Sequence, residues 1–332
     1  MQVIGISGLD KSVAFKQKHF PEISSQFYRI AQGLDSAAAL VDDDHIVAAV
    51  AEERFSRTKG TGNFPLHAIE YCLQAGQVKA QDIDYIAHCF AYEPHEEAYQ
   101  NNRYSQLLYN EVLSPSALRQ CFEKYCCHYH WEDKVIAVPH HLAHAASTFY
   151  PSGFNESLIL VSDGMGEKDS AMIAIGTPKG LEILKTIPSL HSIGILYSLF
   201  TLYLGFDFNF DEYKVMGLAP YGNAQRYFIQ IMELVTLKDD GTYTIPVLFA
   251  NQTDYERETY SRSLMLLEER FGPARKKNEK LRQHHKDIAA ALQSVLQTCL
   301  LHLLRHYQPL TDLKQLCMAG GVALNCSANG VI

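Results

Sequence analysis

The sequence lacks several features that would assign it quickly to a class. No apolar run reaches the roughly 18 residues of a membrane span, and the N-terminal MQVIGISGLDKS lacks the basic start and long apolar core of a signal peptide. Low-complexity tracts are absent, which excludes disorder as the dominant state. Basic residues number 29 against 37 acidic ones, and the net charge of −8 argues against a general nucleic-acid binder. We therefore expect a cytoplasmic protein with no nucleic-acid and no membrane partner.

The eight cysteines form no C-x-x-C pair, so the spacing of common zinc and redox motifs is missing. Several of them, such as Cys72, Cys299 and Cys317, fall in apolar helical or strand patterns. This placement favours reduced thiols in the core of a cytoplasmic protein. Residues 126–130 combine two cysteines with two histidines, but their spacing fits no standard zinc pattern.

The composition is that of a globular protein with a large core. Of the 332 residues, 47% are hydrophobic and 20% are charged, and this length allows one large or two modest domains. We place a first domain at residues 1–150, with an insertion at 8–34 that forms a loop or helix. A second domain follows at 151–332. Because the last predicted helix has barely begun at Ile332, we expect the second domain to be incomplete and the chain to be part of a longer protein.

Two stretches of the chain share one order of predicted elements. Short apolar runs that alternate with turn residues predict strands at 3–7, 36–41, 45–51, 157–162, 169–175 and 181–187. Asp35-Ser-Ala opens a hairpin in the first stretch, and Asp169-Ser-Ala opens one of the same length in the second. We infer an internal duplication. Two such α/β halves resemble the actin-like ATPase fold, a duplicated ribonuclease H-like arrangement whose polar loops hold phosphate.

The remaining pattern supplies helices and further strands. Apolar periodicity predicts helices at 65–74, 104–127 and 287–304, with Pro309 just beyond the last, and strands at 85–90, 134–138 and 315–318. Charged residues 52–59 are typical of a solvated surface. Residues 212–222 mix charges with small residues, which suits either a substrate or nucleotide loop or a helix end with Gly217 as its stop.

The segment Pro-His-His-Leu-Ala-His at 139–144 is the sharpest local signal. It follows a predicted strand and begins a predicted helix, so His140 and His144 would lie on one face, about 5–6 Å apart at Cβ. Two imidazoles at that spacing can bind one metal ion, and the alternative is a pair of helix histidines without a ligand. Position 141 is His, so the Glu base of an H-E-x-x-H protease is absent. Asp163 ends a predicted strand beside Gly164 and is either a third ligand or a turn residue.

A Gly-Gly pair follows the strand predicted at 315–318. Without side chains, Gly320 and Gly321 would let a flat ligand or a phosphate approach the backbone. The alternative is a plain turn from strand to helix.

An ordered set of segments resembles the O-carbamoyltransferases of nodulation-factor, antibiotic and toxin biosynthesis. The segments are DSAAALV from Asp35, EERFSR from Glu52, FP from Phe64, HHLAHAAS from His140, VSDG from Val161, SIGILYS from Ser192, EYKVMGLAPYG from Glu212 and AGGVALN from Ala319. They extend over essentially the whole chain, and such an ordered set is very improbable by chance.

This resemblance implies a two-domain enzyme whose N-terminal part has an actin-like fold, similar to the universal tRNA threonylcarbamoyl-adenosine synthase. In such enzymes a C-terminal domain makes carbamoyl-adenylate from carbamoyl phosphate and ATP. The N-terminal part then transfers the carbamoyl group to a substrate hydroxyl near a bound iron. We therefore expect O-carbamoyl transfer to a hydroxylated small-molecule secondary metabolite, with Fe²⁺ or another divalent metal ion as cofactor.

The resemblance also assigns residues. His140, His144 and Asp163 match the metal ligands, and the family's fourth ligand, an Asp downstream of the Gly-Gly motif, would lie past Ile332. The nucleotide-side loop is matched by Gly320, Gly321 and Asn325, and Gly194 and Lys214 fall in motifs that line the family's cleft. We expect a C-terminal carbamoyl-adenylate-forming domain or subunit as a partner, and we consider a homodimer.

The attacked alcohol needs a proton acceptor, and Asp35 is the candidate catalytic residue. The family usually has His immediately before this Asp, and here the position is Leu34. His19 in the insertion is a substitute that the spacing does not support. Two alternatives stay open. One is an actin-like ATPase or kinase, which leaves the histidine cluster unexplained. The other is a catalytically incomplete half that works with a separate C-terminal subunit.

Overall fold

A computed structural model describes the chain from Met1 to Ile332, apart from the side chain of residue 132. The chain divides into two compact units, Met1–His140 and His141–Ile332. The division falls in the first turn of a helix that belongs to the second unit. The assignment of domains to 1–150 and 151–332 remains a prediction.

The first unit is built on a five-stranded sheet. Its helices and strands are β1 (Gln2–Ser7), α1 (Ser12–His19), β2 (Ala37–Asp42), β3 (His45–Ala51), α2 (Glu53–Ser56), α3 (Leu66–Gly76), β4 (Tyr85–His88), α4 (Arg103–Leu108), α5 (Pro115–Cys126) and β5 (Val135–Ala137). The strand order is β3-β2-β1-β4-β5. Along β1, Ile4 and Ile6 are buried, as period-two alternation requires, and they belong to one apolar cluster with Phe122 and Trp131.

The second unit is built on a four-stranded sheet. Its helices and strands are α6 (His140–Phe149), β6 (Ser157–Ser162), β7 (Asp169–Thr177), β8 (Gly180–Pro188), α7 (Ile193–Tyr203), α8 (Glu212–Leu218), α9 (Phe228–Met232), β9 (Thr236–Leu237), β10 (Tyr243–Thr244), α10 (Asp254–Thr259), α11 (Ser261–Phe271), α12 (Gln283–Thr311), β11 (Leu316–Ala319) and α13 (Cys326–Asn329). The order is β11-β6-β7-β8, while β9 and β10 form a separate pair. All six residues of β6 are buried, which explains its unbroken apolar run.

The two sheets repeat one arrangement of strands. β1 is antiparallel to β2 and parallel to β4, just as β6 is antiparallel to β7 and parallel to β11. β2 and β3 form an antiparallel hairpin, as β7 and β8 do. The expected α/β class is therefore confirmed, with the duplicated ribonuclease H-like unit on which the actin-like fold is built.

The prediction of one continuous helix over residues 104–127 is wrong. The segment contains α4, a π-helical turn at Tyr109–Leu113, and α5. Ser114 takes an extended conformation, and its hydroxyl accepts a hydrogen bond from the Ala117 N–H. Pro115 at the first position of α5 disfavours a helical residue before it and suits a new N-terminus. Apolar side chains continue across this break, but those of α4 pack on the cluster of Tyr109 and Val112, while Phe122 of α5 belongs to the cluster of Ile4.

The long helix is longer than the pattern indicates. α12 begins four residues before Asp287 and continues past Pro309, which lies in its last turn rather than beyond the helix. A proline so near the end removes only one helical hydrogen bond. By length and composition α12 could cross a membrane, but 67% of its most apolar window is buried within the protein. It is the core helix of the second unit.

Two smaller expectations are also corrected. The charged segment 52–59 is not wholly a solvated surface, because Glu52 is 3% exposed and accepts hydrogen bonds from the Ala68 N–H and from His67. Gly217 does not stop a helix, since it lies inside α8. The cysteines agree with expectation: all eight are free thiols, and five of them are buried.

Candidate metal centre

The two spaced histidines lie on the first turn and a half of α6. Ala145 and Phe149 on this helix belong to the apolar cluster of Ile159 and Val161 of β6. The hydroxyl of Thr148 donates a hydrogen bond to the Met318 carbonyl of β11, at 3.1 Å. Packing on one face and a polar contact at the far end fix α6 against the sheet. Its N-terminus therefore lies at the carboxyl end of β6, where Asp163 follows.

The structure brings the three predicted ligands together. His140, His144 and Asp163 each offer a ligand atom within 4.8 Å of the others, and His144 Nε2 lies 3.6 Å from Asp163 Oδ2. All three side chains are partly buried. His141, the third histidine of the motif, is buried and takes no part in this group.

The His140 ring is held in a defined orientation. Its Nδ1 lies 3.0 Å from the Cys89 carbonyl oxygen, and its plane stacks on Phe90 with centroids 4.3 Å apart. A carbonyl at that position accepts from an Nδ1–H, which leaves the Nε2 lone pair to face a ligand. This contact to a main-chain carbonyl is the usual support for a metal-binding histidine.

Asp163 is held by its backbone and by one oxygen of its side chain. Its N–H donates to the Ser170 carbonyl at 2.8 Å, and its carbonyl accepts from the Ser192 hydroxyl at 3.1 Å. The Gly321 N–H donates to Asp163 Oδ1 at 2.9 Å. The other oxygen, Oδ2, is the one that faces His144.

The three predicted cofactor glycines all lie against the Asp163 segment. A Cβ at Gly194 would come 2.5 Å from the Asp163 carbonyl oxygen, and one at Gly320 would come 2.3 Å from the Ser162 carbonyl oxygen. Gly320 also has φ of +90°, a region that side chains disfavour. A Cβ at Gly321 would lie 3.0 Å from Asp163 Oδ1. These glycines are thus explained by the close approach of α7 and the β11 loop to Asp163, and nucleotide binding by them remains a prediction.

Two other predicted cofactor residues do not touch this group. Asn325 is buried, and its side-chain amide pairs with that of Gln293. Lys214 is exposed on α8, with its Nζ 2.7 Å from Asp211 Oδ1. The hydrogen bond that Lys214 donates to the Asp211 carboxylate raises the pKa of Lys214, so this side chain stays a cation. Their roles toward a nucleotide also remain predictions.

Asp35, the predicted base, lies in the first unit at the start of β2. Its carbonyl accepts from the Ser7 hydroxyl at 2.9 Å. Loss of hydration raises the pKa of the Asp35 carboxyl, and the Glu53 carboxylate adds to that rise, while Arg29 and Lys59 oppose it. His19, by contrast, packs among Phe15 and Tyr104.

Sequence reasoning missed the residues that support the ligands. Ser192 was recognisable as a helix N-cap, since Ser precedes the apolar run of α7, and its hydroxyl does accept from the Ile195 N–H. Cys89 and Ser170 act through backbone carbonyls, for which no residue type is a signal. Gln293 lies 32 residues from its partner, and nothing in the local pattern marks it.

The donor set suits a transition-metal ion. Two imidazole nitrogens and one carboxylate oxygen are the ligands of the 2-His-1-carboxylate centres that hold Fe(II), and zinc sites with an open position use the same donors. Three ligands leave coordination positions for a further ligand or a substrate oxygen. The side chains present therefore fit the implied metal ion.

The chain belongs to the family described as Carbamoyltransferase N-terminus, whose sequence pattern matches residues 30–332. The family expected from the ordered motifs is thereby confirmed. Nodulation protein NolNO of Sinorhizobium fredii is 37% identical over 306 residues, covering 89% of this chain and 42% of that protein. The uncharacterized protein sll1178 of Synechocystis is 35% identical over 319 residues, covering 89% of this chain and 50% of that protein.

The chain thus spans half or less of the length of these relatives. Among solved structures, the activator of the 2-hydroxyisocaproyl-CoA dehydratase from Clostridium difficile is similar, with a TM-score of 0.43 and 14% identity, covering 100% of this chain and 84% of that one. A likeness at this level bears on neither function nor site.

Proposed function

We propose that this chain is the transfer part of an O-carbamoyltransferase and moves a carbamoyl group to a hydroxyl of a small-molecule secondary metabolite. Membership of the carbamoyltransferase N-terminus family supports the reaction class. The observation that carries the metal-assisted form of the reaction is the convergence of His140, His144 and Asp163 within 4.8 Å. We place the protein in the cytoplasm, with carbamoyl-adenylate as the group donor.

Fe²⁺ or a similar ion would be held by His140, His144 and Asp163, and when bound it would supply positive charge to an oxygen of the donor. The chain's own residues fix where that charge lies. The Cys89 carbonyl orients the His140 ring, and the Gly321 N–H orients the Asp163 carboxylate. Negative charge accumulates on carbonyl and adenylate oxygens during carbamoyl transfer, so a fixed cationic site lowers the barrier.

The alcohol must lose a proton as it attacks the carbamoyl carbon. Asp35 is our candidate acceptor, and its raised pKa makes it a stronger base than an ordinary aspartate. The proton passes from the alcohol to the Asp35 carboxylate, the new C–O bond forms, and AMP leaves with the electrons of the broken C–O bond.

The donor would be made from carbamoyl phosphate and ATP by a C-terminal domain or subunit. We propose that this partner acts together with the chain and that Gly194, Lys214, Gly320, Gly321 and Asn325 belong to the nucleotide side of the site.

The decisive experiment supplies carbamoyl phosphate, ATP and a panel of hydroxylated metabolites to this chain, with and without the C-terminal half of a full-length relative. Mass spectrometry reads a carbamate product, a gain of 43 Da on the acceptor. We expect product only when both halves are present, and its loss on replacing His140 by Ala. ATP hydrolysis without carbamoyl phosphate, and with no carbamate, would instead favour an actin-like ATPase or kinase.

A further inference from the structure

A buried pair of amides links the longest helix of the second unit to the loop that holds Asp163. Gln293 of α12 and Asn325 are 6% and 9% exposed. Gln293 Nε2 donates to Asn325 Oδ1 at 2.9 Å, and Asn325 Nδ2 donates back to Gln293 Oε1 at 3.0 Å. The buried Tyr197 hydroxyl also donates to Gln293 Oε1, at 3.1 Å. The two amides therefore form a reciprocal pair of hydrogen bonds. Buried networks whose polar groups are all bonded hold their side chains in one conformation.

The loop from Gly320 to Asn325 follows β11 directly, and the Asn329 side chain donates a hydrogen bond to its Ala323 carbonyl at 2.7 Å. Gly321 and Leu324 are exposed, and Val322 is its buried apolar side chain. Within the loop, the Ala323 N–H donates to the Gly320 carbonyl and the Asn325 N–H donates to the Val322 carbonyl. The loop is therefore one tight turn. β11 places its first residues, and the Asn325 side chain holds its far end.

The same turn supplies the N–H that orients the candidate metal ligand. Gly321 donates to Asp163 Oδ1, and Asn325 lies at the other end of the turn. A displacement at Asn325 therefore reaches the Asp163 carboxylate through one rigid turn. Gln293 lies on α12, where Leu292, Val295 and Leu296 around it are buried, so the helix holds it in a fixed position.

We infer that Gln293 is a positioning residue that holds the Gly320–Asn325 turn, and through the Gly321 N–H sets the orientation of Asp163 in the metal centre. The part of this inference that concerns the metal rests on the proposed function. The part that concerns the turn does not, because its hydrogen bonds join only atoms of this chain.

The test is Gln293→Met, which keeps the length of the side chain and removes its hydrogen bonds. The matched control is Gln297→Met, one turn further along α12, where an exposed amide donates to the Ser327 carbonyl at 3.1 Å. Amide hydrogen exchange of residues 318–326 is measured without metal. Co²⁺ affinity and the Co²⁺ absorption spectrum are then measured on the same proteins.

We expect the Gly321 amide to exchange about tenfold faster in Gln293→Met, and Co²⁺ to bind about tenfold more weakly with an altered spectrum, the lower end of the range for residues that support metal ligands. Gln297→Met should match the unsubstituted chain in both. Unchanged exchange in a folded Gln293→Met overturns the inference, even if that variant is less stable.

The outcomes separate this inference from the proposed function. If the unsubstituted chain binds no Co²⁺, the metal-assisted function fails, while the exchange result still decides whether Gln293 holds the turn. If Gln293→Met does not fold, Tyr197→Phe takes its place, because it removes one hydrogen bond to Gln293 without shortening any side chain. A smaller acceleration of Gly321 exchange is expected there, and its absence counts against the inference.

Discussion

Replacing Gly194 by Ala should push α7 away from Asp163. The new methyl group would lie 2.5 Å from the Asp163 carbonyl oxygen, 2.9 Å from its carbon and 3.0 Å from the Gly164 nitrogen. All three neighbours are backbone atoms, so no side chain can rotate out of the way. Overpacking of this kind costs about 1–3 kcal/mol, and the higher helix propensity of Ala returns at most about 1 kcal/mol.

We therefore expect Gly194→Ala to lower the free energy of unfolding by up to about 2 kcal/mol, the overpacking cost less the gain in helix propensity. It should also weaken Co²⁺ binding, because the Ser192 hydroxyl that holds the Asp163 carbonyl lies in the same segment. Urea unfolding followed by circular dichroism gives the first quantity, and titration by absorbance gives the second.

The chain offers a matched control for this substitution in Gly217. It lies inside α8, is exposed, and has no atom within 4 Å of the position a Cβ would take. Gly217→Ala should stabilise the protein by up to about 1 kcal/mol and leave Co²⁺ binding unchanged. If Gly194→Ala behaves like Gly217→Ala, the close approach of α7 to Asp163 is not a constraint and the reasoning fails.

Three further predictions concern the ligands and one buried carboxylate. His140→Ala should abolish bound metal in elemental analysis. Asp163→Asn keeps an oxygen to accept the Gly321 N–H but loses the charge, so Co²⁺ should bind at least tenfold more weakly with little change in stability. The pKa of His67 is raised, chiefly by its hydrogen bond to Glu52, so its contribution to stability is complete below the unfolded pKa of about 6.5 and is lost as pH rises through the folded pKa. The urea midpoint should therefore fall as the pH rises above about 6.5, and it should fall by less in His67→Ala.

Each of these has a result that would contradict it. His128→Ala, at an exposed histidine outside the cluster, should keep the metal content of the parent chain, and equal metal in His140→Ala would reject the ligand assignment. If Asp163→Asn binds Co²⁺ as tightly as the unsubstituted chain, the charge of Asp163 does not contribute to metal binding. If the urea midpoint depends on pH in the same way in His67→Ala and in the unsubstituted chain, the contact between His67 and Glu52 does not contribute to the pH dependence of stability.

Repetition and local spacing made part of the structure predictable. The segments at Asp35 and Asp169 share a polar start, and four strands of each sheet follow one order. The predicted equal length of the two hairpins is wrong, because β7 and β8 have nine residues each, against six and seven in β2 and β3. His140 and His144 are four residues apart, and the helical repeat alone places them on one face. Asp163 was a candidate because it ends a predicted strand beside Gly164, and the resemblance assigned it as a ligand.

Other features depended on contacts between distant residues. Glu52 belongs to a charged run, and only its contacts with the start of α3 show that it is buried. The Cys89 carbonyl that orients His140 is 51 positions away, and a carbonyl is common to every residue. Gly320 and Gly321 were predicted to let a ligand approach the backbone, and Gly194 was assigned only by the resemblance. The atoms that approach these glycines are those of Ser162 and Asp163. A glycine in the sequence can indicate a close approach, but it does not show which atoms approach.

The bond from Gly321 to Asp163 Oδ1 has a consequence for ion selectivity. With that oxygen engaged by an N–H, an ion that binds Oδ1 competes with a hydrogen bond, so binding through Oδ2 alone is favoured over chelation. Calcium favours six to eight oxygen donors, often with a chelating carboxylate, and magnesium is bound through oxygen. We therefore expect two imidazoles and a single oxygen to disfavour the abundant alkaline-earth ions and to favour the scarcer transition metals.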